Sequence, residues 1–85
     1  MTDLSMLCSV YRSPLQEGMY LYVPKNEPFA EVPESLLQRF GTPGHVLDLT
    51  LTPEQKLARA DARQVLLSIR QQGYYLQLPP KQVAW

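Results

Sequence analysis

The sequence contains one thiol and one imidazole, Cys8 and His45, and these two residue types can form a nucleophile and its base. A cysteine nucleophile needs the base within hydrogen-bond reach, yet the two residues lie on separate predicted strands whose pairing is open. A lone cysteine is more often a small buried apolar side chain. The prediction is therefore that the chain is not an enzyme, with a Cys8/His45 thiol hydrolase or redox protein as the alternative.

The other motifs that could do chemistry have simpler structural explanations. One cysteine and one histidine cannot complete a zinc shell without scattered carboxylates, so neither a metal nor a cofactor is expected. In "FGTPG", Gly41 follows a predicted helix, which is the wrong end of a helix for binding phosphate. Arg59, Arg63 and Arg70 lie broadly on one side of the last predicted helix, where an amphipathic helix needs a solvated face.

Length and composition indicate one ordinary globular domain spanning residues 1–85, with an ordered core over about 6–80. The chain is 45% hydrophobic and 19% charged, and its eight basic residues balance eight acidic ones. A net charge of zero provides no field that attracts nucleic acid or a membrane surface. A single cysteine excludes an intrachain disulfide, and no apolar run is long enough to cross a membrane, so a cytoplasmic location is expected.

Hydrophobic periodicity and turn residues predict the order β-β-α-β-α-β. The first two strands form a hairpin around "SPLQEG", the first helix begins near Pro33 and ends at Gly41, and Gly73 ends the last helix. The predicted segments are strands 6–12 and 18–24, helix 32–41, strand 45–51 and a last strand over 74–78, before Pro79 and Pro80.

The last helix has two competing start signals. Thr52 opens a capping box with Pro53 at its first helical position, and Asp61 offers a second start nine residues later. One long helix is possible, but the interpretation favoured here is a separate turn over 53–60 followed by a helix from about Asp61 to Gln72.

These elements predict a fold of the broad α/β class, specifically an α+β two-layer sandwich. Its sheet is expected to be mixed, with the helices packed mainly on one face of the sheet. Both helices lie on one face if successive strands step the same way across the sheet; crossovers in opposite directions would cover both faces. The predicted core contains Val10, Leu21, Val23, Leu36, Leu37, Phe40, Leu47, Leu49, Val65, Leu66, Ile69, Leu76 and Leu78.

Strand alternation places Tyr11, Tyr20, Tyr22 and Tyr75 on the side of the sheet away from the aliphatic core. With the nearby Arg12 and Gln77, these tyrosines form the predicted binding site, an open sheet face for a protein or peptide partner or for a second copy of the chain. Single-stranded nucleic acid is the alternative ligand, since sheet-borne rings stack on bases, although the neutral charge argues against it. Simple packing of tyrosines across strands explains the same pattern.

Five stretches of the chain resemble the YcgL family of small bacterial domains. They are "CSVYRS" at 8–13, "MYLYV" at 19–23, "VPESLLQRFGTP" at 32–43, "LTPEQKLARAD" at 51–61 and "QGYYLQLPP" at 72–80. Together these stretches span nearly all of residues 8–80. The resemblance implies a compact α/β domain, and it implies no established activity and no catalytic residues.

Overall fold

The structure, a computed structural model, describes residues 5–57 and 61–79, and its element order is the predicted β-β-α-β-α-β. The elements are β1 (Met6–Arg12), β2 (Tyr20–Pro24), α1 (Glu34–Phe40), β3 (Gly44–Leu51), α2 (Ala62–Gln72) and β4 (Tyr75–Gln77). The α+β fold class is therefore confirmed. No helix in the described ranges is long and apolar enough to span a membrane.

The sheet has the strand order β3-β1-β2-β4, and each neighbouring pair is antiparallel. The expected mixed sheet is thus corrected to an antiparallel one. The connection through α1 leads from β2 past β1 to one edge, and the connection through α2 returns across the whole sheet to the other edge, where β4 pairs antiparallel with β2. The two crossovers therefore run in opposite directions.

As a result, the two helices cover opposite faces of the sheet, and the expectation of one open face is wrong. Phe40 of α1 belongs to a core cluster with Leu21 and Val23, while Val65 of α2 belongs to a second cluster with Tyr22. Successive residues of a strand point to opposite faces. Tyr22 lies between Leu21 and Val23 in β2, so the two clusters lie on the two sides of the sheet.

The last helix begins at the second of its two predicted start signals. Asp61 caps α2, and its carboxylate accepts a hydrogen bond of 3.0 Å from the backbone N–H of Arg63. The segment after Thr52 makes a turn, in which the N–H of Gln55 donates to the Thr52 carbonyl at 3.0 Å. Gly73 ends α2 in the left-handed conformation, with φ of 93°. Residues 58–60, including Arg59 of the predicted basic stripe, lie outside the described residues.

A single hydroxyl joins the β1–β2 loop to the end of α1. The buried Ser13 donates to the carbonyl of Phe40 at 2.5 Å and accepts from the backbone N–H groups of Leu15 and Gln16, both at 3.1 Å. Gly41, at φ of 85°, closes α1 at the same point. The hairpin loop and the helix end therefore hold each other in place.

Most of the predicted core is confirmed, and two leucines are not. Seven predicted core residues are buried, namely Val10, Leu21, Val23, Phe40, Val65, Leu66 and Ile69. Four are half-buried, namely Leu36, Leu37, Leu49 and Leu76. Leu47 is 45% exposed because β3 is an edge strand, and Leu78 is 63% exposed because it follows the end of β4.

Candidate functional site

Three of the predicted binding tyrosines lie beneath α2 and not on an open surface. Tyr22 is 8% exposed within the α2 core cluster, and Tyr20 and Tyr75 are half-buried against it. The Tyr22 and Tyr75 rings meet edge to face, with centroids 5.9 Å apart. Burial raises the pKa of Tyr22, and charge repulsion from the phenolate forms of Tyr75 and Tyr20 raises this pKa further. These rings therefore act first as core packing.

Of the remaining predicted site residues, Arg12 and Gln77 lie on the same face as these rings, since Tyr20 pairs with both, whereas Tyr11 does not. Tyr11 lies on the other face of the sheet, where its ring centroid is 4.9 Å from that of Phe29. Arg12 is exposed at the end of β1, and Gln77 is buried at the end of β4. The structure thus does not bring the six residues onto one surface. Tyr11 is separated because it pairs with Leu21 of β2, and the tyrosines of the other face are covered because the chain returns through α2.

Cys8 and His45 are also kept apart by the pleat of the sheet. Cys8 has no exposed surface, its thiol donates to the carbonyl of Met6 at 3.6 Å, and burial raises its pKa to about 11. His45 contacts Asp48, which pairs with Ser9, and Ser9 points away from the face that carries Cys8. The imidazole therefore lies on the opposite face from the thiol and does not reach it.

A serine, an aspartate and a histidine do meet on the face opposite Cys8. The hydroxyl of Ser9 donates to Oδ1 of Asp48 at 2.6 Å, and Nε2 of His45 lies 2.8 Å from the same oxygen. Lys25 Nζ lies 3.9 Å from Oδ2. The hydrogen bonds with His45 and Ser9 hold the pKa of Asp48 below its usual value. The serine donates to the carboxylate and not to the imidazole, so the three side chains do not have the Ser-His-Asp order of a hydrolase triad.

Sequence reasoning missed this cluster because it depends on a β-bulge. Residues three apart on a regular strand point to opposite faces, so His45 and Asp48 were not expected to meet. The pairing of β1 with β3 shifts between Val10 and Tyr11, which places an extra residue in β3 at Val46. The shift turns His45 to the side of Asp48. The cluster connects the neighbouring strands β1 and β3. Among the described residues, no group of side chains could bind a metal ion.

A groove of about 510 Å³ is lined by both helices and by the β4 edge of the sheet. Its lining comprises Pro33, Ser35, Leu36 and Arg39 from α1 and the residue before it, Ser68 and Gln72 from α2, and Tyr74, Tyr75 and Leu76 from β4 and the residue before it. Because α1 and α2 lie on opposite faces, a site that contacts both must pass around the edge of β4.

The groove combines apolar walls with polar groups. Leu36, Tyr75 and Leu76 supply apolar and aromatic surface. The side-chain amide of Gln72 donates to the backbone carbonyl of Tyr74 at 3.1 Å, so it satisfies one backbone group next to β4. Arg39 is exposed in the last turn of α1, and no carboxylate of the described residues forms an ion pair with it. The groove therefore offers one available cation beside an apolar surface.

Of the predicted site residues, only Tyr75 lines this groove. The groove arises where two helices that are distant in sequence flank the last strand, and no local pattern shows that arrangement. The sequence does carry one signal for the groove. Tyr75 is an aromatic residue at a strand position where the alternating pattern predicts a polar one.

Comparison with known proteins shows a consistent family. A family model described as the YcgL domain matches residues 8–80. YcgL domain-containing proteins of Pseudomonas paraeruginosa and Mannheimia succiniciproducens are each 54% identical over 77 residues. These matches cover 91% of this chain and 79% and 76% of the two relatives, respectively. A YcgL domain-containing protein of Azotobacter vinelandii is 51% identical, again over 91% of this chain and 79% of its own length.

Proposed function

This chain belongs to the YcgL family, and we propose that it is a small, non-enzymatic interaction domain that binds an extended peptide segment of a partner protein in the groove along β4. The observation that carries the proposal is the groove itself, in which a strand edge lies between two helices beside Arg39, which forms no ion pair with any described residue. The burial of Cys8 on the face opposite His45, and a Ser9 hydroxyl that donates to Asp48 and not to the imidazole, favour binding over catalysis.

The edge of β4 supports binding of an extended peptide. β4 is the last strand in the sheet order, and in the described residues it pairs only with β2. An extended peptide can add to such an edge through its main chain, while pockets beside the edge select its side chains. The walls formed by α1 and α2 would restrict the approach to a single extended segment.

The groove lining also indicates the chemistry of the peptide. Leu36 and Tyr75 present surface for an apolar side chain, and Tyr75 is held in place from below by the Tyr22 ring. A guanidinium binds carboxylates through two parallel hydrogen bonds, so Arg39 favours an acidic residue in the peptide. We therefore expect the preferred peptide to combine an apolar residue with a nearby Asp or Glu.

Selection from a random peptide library displayed on phage tests the proposal. The selected peptides should contain that combination, and their binding should shift the backbone amide resonances of β4 and of the last turn of α1. Arg39→Gln should weaken binding of the best peptide by at least about 5-fold, through loss of the charge-assisted hydrogen bonds. Arg63→Gln removes the same charge from α2 outside the groove, so it should leave the affinity unchanged.

Two results would contradict this function. One is a selected peptide whose resonance shifts map away from the groove, and the other is an equal loss of affinity in both arginine variants. Titration with mixed single-stranded oligonucleotides separates the nucleic-acid alternative, because binding to phosphates weakens steeply as salt is raised. Salt-sensitive shifts with oligonucleotides, in a protein that selects no peptide, would favour that alternative.

A further inference from the structure

The edge of the sheet opposite the groove carries a strand whose apolar face is incompletely buried. β3, over Gly44–Leu51, is the longest strand in the described residues and forms this edge. Leu47, Leu49 and Leu51 alternate along it, a pattern typical of a strand with one buried face. Yet Leu51 is fully buried, Leu49 is half-buried and Leu47 is 45% exposed. Burial within one copy of the chain thus fades toward the middle of β3.

The regular part of this strand is almost the same in both directions. After the bulge at Val46, residues 47–51 read Leu-Asp-Leu-Thr-Leu, which gives Leu-Thr-Leu-Asp-Leu when reversed. An interface with two-fold symmetry requires a surface that is complementary to itself. An antiparallel pair of such strands places leucine against leucine and aspartate against threonine.

We propose that two copies of the chain pair through β3, antiparallel and centred on Leu49, so that the two sheets join into one. In this register Leu49 faces Leu49 of the second copy, and Leu47 faces Leu51. On the other face of the sheet, Asp48 faces Thr50, whose hydroxyl can donate to the carboxylate. The exposed leucine surface of each copy is then covered by the other.

The neighbouring registers are less favourable. Centring the pair on Asp48 would place two carboxylates directly opposite each other, and like charges at that position destabilise a strand pair. Centring it on Thr50 would leave Leu47 without a leucine partner. Exposed edge strands are usually protected by charged side chains, above all lysine, by proline or by a bulge. The charge within residues 47–51 is Asp48, which the proposed register places opposite Thr50. The bulge of β3 lies before Leu47, and residues 47–51 contain neither lysine nor proline.

Sedimentation equilibrium of the full chain, from micromolar to millimolar concentration, tests the pairing. Wild type should show a monomer–dimer equilibrium. Leu47→Lys should be monomeric, whereas Leu15→Lys, which changes a leucine that is 66% exposed in the β1–β2 loop, should dimerise like wild type. A wild-type protein that remains monomeric at millimolar concentration would overturn the proposal.

Two substitutions at Thr50, which is exposed, test the register without affecting the core. Thr50→Asp places a carboxylate opposite Asp48 at two symmetric positions, so it should weaken the dimer by about 2- to 30-fold. Thr50→Lys places an ammonium group there and should strengthen the dimer. Equal effects of both variants, or no effect of either, would refute this register.

Oxidative cross-linking gives an independent measurement. Opposed residues of an antiparallel pair have Cα atoms about 4.5–5.5 Å apart, which is within the range that a disulfide spans. Because Cys8 lies directly opposite Leu49 in the β1–β3 pair, the test uses a Cys8→Ala background, which prevents an intrachain disulfide. In that background Leu49→Cys should form a covalent dimer readily under mild oxidation, while Leu15→Cys should not. This result is independent of the peptide groove, since β3 and β4 form opposite edges of the sheet.

Discussion

Alkylation of Cys8 distinguishes a structural thiol from a catalytic one. Burial raises the pKa of this thiol from 9.0 to about 11. Because only the thiolate reacts, this shift lowers the reactive fraction below pH 9 by about 100-fold relative to an unperturbed thiol. The absence of exposed surface at Cys8 slows the reaction further. Iodoacetamide labelling, followed by mass spectrometry across a pH series, should therefore be very slow near neutral pH and rise only at strongly alkaline pH.

The matched control is a thiol at the residue that precedes Cys8 in the same strand. Leu7 is 56% exposed and points to the opposite face, so Leu7→Cys in a Cys8→Ala background should react as an ordinary thiol. Labelling of Cys8 that is half-maximal below about pH 8.5 would refute the reasoning, since an activated nucleophile has such a pKa. It would also revive the thiol-enzyme alternative.

Three further predictions concern stability, measured by urea unfolding with circular dichroism as the probe. Ser13→Ala should destabilise the fold by about 1–3 kcal/mol, because it removes the hydroxyl that donates to the last carbonyl of α1, whereas the exposed Ser35→Ala should change stability by less than about 0.5 kcal/mol. Leu21→Ala, at a fully buried site, should cost about 2–5 kcal/mol, and Leu78→Ala should cost under about 1 kcal/mol. Burial raises the pKa of Tyr22, so the stability linked to its neutral form is present below its unfolded-state pKa near 10.0 and is lost as the pH rises through the folded-state value. Tyr22→Phe should accordingly lose less stability than wild type at alkaline pH. The first two predictions fail if the variant and its control lose the same free energy of unfolding. The third fails if Tyr22→Phe and wild type lose the same stability at alkaline pH.

The order of the elements was predictable because its signals are local. Gly41 and Gly73 end the two helices as expected, and Asp61 begins α2 where its side chain can cap the backbone. Each signal acts within one helical turn, so the sequence carries it directly. The alternation of apolar residues likewise predicted β1, β2 and β3.

The faces of the sheet were not predictable, because they depend on which edge each strand joins. Strand alternation separates Tyr22 from Leu21 correctly, but it does not indicate whether a helix covers the side of Tyr22. β4 joins the sheet beside β2, and α2, which leads to it from the opposite edge, packs on the side of Tyr22. The same uncertainty applies to Leu47, whose alternating pattern indicates burial while its edge position leaves it exposed.

The strand order also has a consequence for the order in which the chain folds as it leaves the ribosome. β1, β2 and β3 are complete by residue 51, and β1 pairs with both of the others, so a three-stranded sheet can form before α2 and β4 have been synthesised. β4 contributes only three residues and pairs with one neighbour, so we expect it to join last and to open first. Amide hydrogens of β4 should then exchange faster than those of β2, and the strand that lines the groove should be the least protected part of the sheet.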